Sequence, residues 1–219
     1  MTNKEPLAIY KIDSIDDKYY EDILKESIDD LNKFYEITWH HHLPRIIVVP
    51  DRKTIDLLKN TKTERWIVGW SEGRSVYILD KDALEKESDH KYKPDTYYRL
   101  IKHEVSHSFY NIISEGQYKP AWLNEGVAIY TSGQNLEKKK PIKFNNFLDF
   151  FEKGGSGVYD ESGFAVQLLV EKFGKQKVFE LIKKLKSIKS SEEFNNLFEK
   201  IFEFKPTYEN FNKLYIKSW

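Results

Sequence analysis

Residues 94–113, P-D-T-Y-Y-R-L-I-K-H-E-V-S-H-S-F-Y-N-I-I, decide how this chain is organised. The Pro-Asp-Thr start is a helix-opening pattern and Gly116 a stop, so the stretch predicts one long helix. His103 and His107 stand four residues apart, which on a helix puts both imidazoles on one face. Zinc accepts such nitrogens at roughly 2.0–2.1 Å and needs about four ligands in all. Glu104 lies on an adjacent part of that face, within reach of a water activated by the metal without binding the metal itself. Tyr98, Ile101, Val105, Phe109 and Ile112 predict the apolar stripe that buries the helix. The plain alternative is a helix with two polar-face histidines. A third ligand in the right place separates the two.

Composition narrows the donors. The chain has 219 residues, 40% hydrophobic and 15% aromatic, enough for one sizeable core. It contains no cysteine, so a metal must be held by His, Asp or Glu, which suits zinc in a catalytic setting. Thirty-five basic residues balance 35 acidic ones, which gives no electrostatic reason to expect nucleic acid or an anionic membrane as partner. The N-terminal M-T-N-K-E-P-L-A-I-Y-K lacks an apolar targeting core, and no segment approaches about 18 apolar residues in a row. The expectation is a cytoplasmic chain with no signal peptide and no membrane insertion.

The elements fall into two groups. Residues 7–12 predict a short strand. Residues 17–36 predict an amphipathic helix from Tyr20, Leu24, Ile28, Leu31 and Tyr35. P-R-I-I-V-V-P-D at 44–51 predicts a strand and T-I-D-L-L-K-N at 54–60 a short helix. R-W-I-V-G-W and S-V-Y-I-L-D, joined by S-E-G-R, predict a hairpin. After Pro94 the signals are helical: the helix above, then one opened by Pro120, then 159–173, 178–188, 192–202 and 208–215. G-Q-N-L-E-K-K-K-P at 133–141 and K-G-G-S-G at 153–157 predict loops, the latter suited to a hinge or a rim. His40, His41 and His42 point in different directions and predict a solvated turn rather than a metal site.

The third ligand is sought by spacing. A metzincin would carry Gly at 110 and His at 113, where this chain has Tyr110 and Ile113. A carboxylate from a separate downstream helix is available at Glu125, with 17 residues intervening after His107, within A-W-L-N-E-G-V-A. Gly126 beside it would let two helices approach closely around a metal. Glu115 and Glu137 compete, but one falls near a turn and the other in a lysine-rich loop, where solvated charges are expected.

H-E-V-S-H followed by A-W-L-N-E-G-V-A resembles the gluzincin metallopeptidases, above all the catalytic core of aminopeptidase-N-like enzymes and the compact peptidase MA-like domains. The similarity extends over roughly residues 45–185 through I-I-V-V-P-D, W-I-V-G-W, R-S-V-Y-I-L-D and V-Y-D-E-S-G-F-A-V-Q-L-L-V-E-K-F-G. It implies His103, His107 and Glu125 as ligands of one zinc ion, Glu104 as general base, and Tyr159 as a donor to the oxyanion. It also implies an α+β, zincin-like fold in one catalytic domain over 1–219. A mixed-sheet lobe with the active-site helix (1–115) would face a helical lobe (116–219) across a cleft. Tyr110 and Tyr130, the other tyrosines near the motifs, are expected in the core.

The departures shape the activity expected. Aminopeptidases of this type carry G-x-M-E-N on the edge strand to hold the substrate's free amine; the stretch here is G-W-S-E-G-R-S-V-Y-I-L-D, without that motif. A thermolysin-like Asp four residues after the third ligand is replaced by Ile129. The expectation is a zinc endopeptidase acting on a peptide or protein substrate, which could lie along S-V-Y-I-L-D by strand addition. The alternatives are a catalytically silent zinc-binding interaction domain, against which Glu104 argues, and a metal-free helical binding protein.

Overall fold

The computed structural model describes residues 17–155 and 157–216, so the strand expected at 7–12 lies outside the described residues. Helix α1 spans Lys18–Tyr35, opened by Asp17, whose carboxylate accepts the Tyr19 N–H at 2.9 Å. It buries Tyr20, Ile23, Ile28, Leu31 and Tyr35, the expected stripe with Ile23 added and Leu24 at its half-buried margin. Strand β1 (Arg45–Val49) leads into α2 (Arg52–Lys59), capped by Asp51 through the Thr54 N–H. Strands β2 (Gly69–Glu72) and β3 (Ser75–Leu79) form the expected hairpin. Its two-residue turn begins with Gly73 at φ +59°, where a twisted hairpin needs a residue without Cβ.

The sheet order is β1-β3-β2, with β1 parallel and β2 antiparallel to β3. This corrects one expectation: S-V-Y-I-L-D forms the central strand and is paired on both sides. Among the described residues no strand pairs on the outer side of β2, the edge beside the helix with the histidines.

The chain then makes a one-turn helix α3 (Leu84–Glu87) and the long helix α4 (Pro94–Ile113). Helix α5 is Ala121–Ser132, α6 Val158–Phe173, α7 Lys175–Lys184, α8 Ser191–Phe202 and α9 Tyr208–Ile216. The protein is thus α+β, with a small mixed sheet and a helical remainder. Among the described residues no helix is long and apolar enough to cross a membrane.

Helix α4 departs from its expected stripe. Tyr97 rather than Tyr98 is buried, Ile112 is 47% exposed, and every residue from Ile101 to Tyr110 is buried. The reason is enclosure. The sheet, α1, α5 and α7 all pack on α4, so its centre has no solvent face and its polar residues go inside too. Ile101, Val105 and Phe109 are fully buried, each contributing about 1.5–3 kcal/mol of apolar burial. Lys102, buried in the same stretch, reaches Asp30 of α1 at 2.7 Å and so keeps a partner for its charge.

The expected division at residue 115 is blurred by α1. Phe34 and Tyr35 at its end pack against Phe179 of α7. Lys175 donates to the Phe34 carbonyl at 3.1 Å and pairs with Glu36 at 2.8 Å. A buried Glu161 on α6 accepts the backbone N–H groups of Asn145, Asn146 and Phe147, tying the loop before α6 to the core.

Helices α5 and α6 meet backbone to backbone. A Cβ at Gly126 would stand 2.6 Å from the Ser162 carbonyl oxygen, and one at Gly163 would stand 2.3 Å from Ile129 Cγ2. The closest partner of Gly126 is therefore α6 rather than α4, a correction to the expected helix pair. Gly126→Ala tests this. The exchange gains about 1 kcal/mol of helix propensity but forces two backbones apart, at about 1–3 kcal/mol or more. A lower urea midpoint is expected. A raised midpoint would contradict the close approach.

Candidate metal centre

Three side chains from two helices converge. His103 and His107, one turn apart on α4, place their Nε2 atoms 3.2 Å from each other. Glu125, in the second turn of α5, brings Oε2 to 3.3 Å from His103 Nε2 and 3.6 Å from His107 Nε2. These three form a group that could hold a metal ion. The distances match what a cation requires: a tetrahedral ion with bonds of about 2.0–2.1 Å separates its ligand atoms by roughly 3.3–3.4 Å.

Polar accounting points the same way. Glu125 Oε2 is buried and makes no well-formed hydrogen bond; only the two imidazole Nε2 atoms, at 3.3 and 3.6 Å, stand near it. An ionised carboxylate oxygen left so is costly, and a cation on the open side removes the cost. Burial pushes Glu125 up, but His107 and then His103 outweigh it and hold the carboxyl below its ordinary range.

His107 also has an orienting partner that the sequence reading missed. Its Nδ1 lies 2.9 Å from Asn124 Oδ1. With Asn124 accepting, Nδ1 carries the proton and Nε2 is left with its lone pair aimed at the other two ligands. The signal was in view, since Asn124 directly precedes Glu125. An amide next to a carboxylate has no fixed meaning until helix geometry places it. His103 Nδ1 is buried without a partner.

Glu104 is 7% exposed and faces the start of the edge strand. A Cβ at Gly69 would lie 3.4 Å from its Cγ, so the absence of a side chain there brings the β2 backbone close to the carboxylate. Burial pushes Glu104 up to about 7; Glu125 adds to this, while His107 and Lys59 work against it. It is a carboxylate with unusual affinity for a proton, beside the three ligand atoms and outside their set.

Tyr159, in the first turn of α6, sits with its ring centroid 6.2 Å from that of His103. Burial and then the charges of Glu125 and Glu104 hold its phenol far above the ordinary range, so it remains an O–H donor at neutral pH. All five residues singled out in the sequence are brought together. The competitors are elsewhere: Glu115 pairs with Lys186 at 2.6 Å, and Glu137 with Arg99 at 2.6 Å. Glu137 is thus a tether to α4 rather than the solvated charge expected. His40, His41 and His42 are exposed, as a solvated turn requires; Tyr110 lies in the core and Tyr130 packs half-buried against it. Two surface hollows of about 480 and 470 Å³ lie away from these residues, one by Tyr19 and Arg99, the other by Lys138–Ile142.

No protein-family model, no curated protein and no solved structure matches the chain significantly. What the site can do is therefore argued from its own chemistry.

Asn124→Ala should leave the fold intact and weaken divalent-metal binding about 10–100-fold, the usual cost of losing a ligand's orienting partner. Competition against a chromophoric chelator reads this. Unchanged affinity would mean that Asn124 does not set the His107 tautomer.

Proposed function

We propose that this protein is a zinc metallopeptidase of gluzincin type, with a zincin-like arrangement of sheet and active-site helix. The observation that carries the reading is the convergence of His103, His107 and Glu125 on one point, with Glu104 beside them and outside the ligand set. A purely structural metal site is closed by a fourth protein ligand and has no use for such a carboxylate. Here three protein ligands leave one position free.

Zinc held there supplies a Lewis acid for a water and for the scissile carbonyl. The remaining work falls to the chain's own residues. Glu104 takes the proton of the attacking water at its carboxylate and passes it to the departing amine nitrogen. Tyr159 Oη donates to the oxygen of the carbonyl as charge develops on it. Asn124 keeps His107 in the ligating tautomer. The free edge of β2 offers backbone groups to an extended peptide, and Gly69 lets that backbone run close to Glu104.

An internal peptide bond is the substrate that fits best, since the G-x-M-E-N motif for a free α-amine is absent. The second reading, a silent zinc-binding interaction domain, keeps the three ligands and gives Glu104 no task.

Glu104→Gln separates the two. Protein never exposed to chelator should carry close to one zinc with either residue at 104. Cleavage of an unstructured protein should fall at least about 10³-fold in the variant, as expected when an essential general base is lost. Equal cleavage by both proteins would remove Glu104 as base, and no cleavage by either would favour the silent domain. Tyr159→Phe should lower turnover about 10–10³-fold with little change in substrate affinity; wild-type turnover would end its oxyanion role.

A further inference from the structure

The loop between α2 and β2 is built more firmly than a connection requires. Arg52, at the start of α2, donates to four backbone carbonyls through its guanidinium: Glu64 at 3.2 Å, Arg65 at 3.0 Å, Ile67 at 2.6 Å and Glu87 at 3.0 Å. It also reaches Thr63 Oγ1 at 3.1 Å. Arg65 donates to the Lys86 and Ser88 carbonyls at 3.0 and 2.9 Å, and His90 Nε2 holds the Trp66 carbonyl at 2.9 Å. A guanidinium presents a planar set of donors, so this network fixes the loop in one shape rather than merely tethering it.

What the loop presents is Trp66. Its indole is 37% exposed, its Nε1 donates to the Glu64 carboxylate, and its ring meets Tyr159 at a centroid distance of 6.2 Å and an angle of 65°. Tyr159 in turn lies against His103. Trp66 is thus an aromatic wall held in one orientation, one ring away from the ligand cluster. It also shortly precedes the edge strand, in a turn closed by the Ile67 N–H on the Glu64 carbonyl at 3.1 Å. The β2–β3 ladder reaches back to Val68, whose carbonyl accepts the Leu79 N–H at 2.8 Å. Gly69, beside Glu104, is three residues from Trp66, at most about 10 Å for an extended chain. That is within about three residues along a peptide lying on the β2 edge.

We propose that Trp66, with Tyr159 beside it, forms a preorganised apolar subsite for a bulky apolar or aromatic side chain within about three residues of the scissile bond. The substrate class is then an extended peptide selected by that side chain. The proposal deepens the peptidase reading and rests on it for the path of the peptide along β2. Trp66 fits the role because its indole is already oriented and half-open to water: binding an apolar side chain there removes apolar surface from solvent without freezing a mobile ring.

The test separates binding from cleavage. Zinc-loaded Glu104→Gln protein is titrated calorimetrically with two peptides that differ only in Phe or Ala at one position, scanned along the sequence. At one position the Phe peptide should bind about 10-fold or more tightly than the Ala peptide. Adding Trp66→Ala should abolish that preference, while Trp66→Phe should retain most of it. Equal affinities for the two peptides at every position, or a preference that survives Trp66→Ala, overturns the subsite. An equal loss for both peptides in Trp66→Ala, not restored by Trp66→Phe, also overturns it, because it marks Trp66 as a support of the loop. Cleavage by the wild-type protein is read separately. If the Phe preference in binding is present but cleavage is absent, the peptidase reading falls and the subsite stands.

Discussion

Two imidazoles and two carboxylates are set in the middle of the core, and the rest of the structure is arranged around that burial. His103, Glu104 and His107 all lie in the buried stretch of α4, and Glu125 closes the group from α5. Burying two carboxylates this near each other opposes folding, because each loses its water and each repels the other. A divalent cation at the convergence point would reverse the sign of the problem by pairing Oε2 and the imidazole lone pairs. Metal binding and folding would then be linked, a bound ion stabilising the folded chain according to its affinity and concentration.

The surrounding packing maintains the spacing. Glycines at 126 and 163 let α5 lie directly on α6, which carries Tyr159 over the His103 ring. Asn124 and Glu125 are consecutive on α5, so one stretch of helix places both the carboxylate of the candidate metal group and the amide that faces His107 Nδ1. On the other flank Asp30 pairs with Lys102, the neighbour of His103, and fixes α4 against α1. Distances of 3.2–3.6 Å between ligand atoms are therefore held by contacts on every side of α4.

Much of this was legible in the sequence because it depends on local patterns. H-E-V-S-H has a fixed meaning on a helix, Pro, Gly and capping residues mark most ends of α4–α9, and Gly73 marks the hairpin; α7 is the exception, running Lys175–Lys184 rather than 178–188. Glu125 could be chosen because no cysteine and no better-placed carboxylate compete. What could not be read depends on tertiary enclosure. The burial of Lys102 and Ser106 has no apolar signature, and Ile112 faces water although it keeps the helical period. The exchange of central and edge strands follows from β1 pairing with β3 across α2, a choice that hairpin logic does not make. Trp66 and Asn124 carry no motif of their own. Their roles come from a guanidinium gathering a loop and from two helices crossing.

The most direct measurement is X-ray absorption at the zinc edge of the purified protein. The account predicts a shell of about four light-atom ligands, with two showing the outer-shell scattering of imidazole rings. The imidazole signal should drop in His103→Ala and in His107→Ala and persist in His41→Ala. Six oxygen neighbours without imidazole scattering, or a signal unaffected by His103→Ala and His107→Ala, would contradict a metal centre built by α4 and α5.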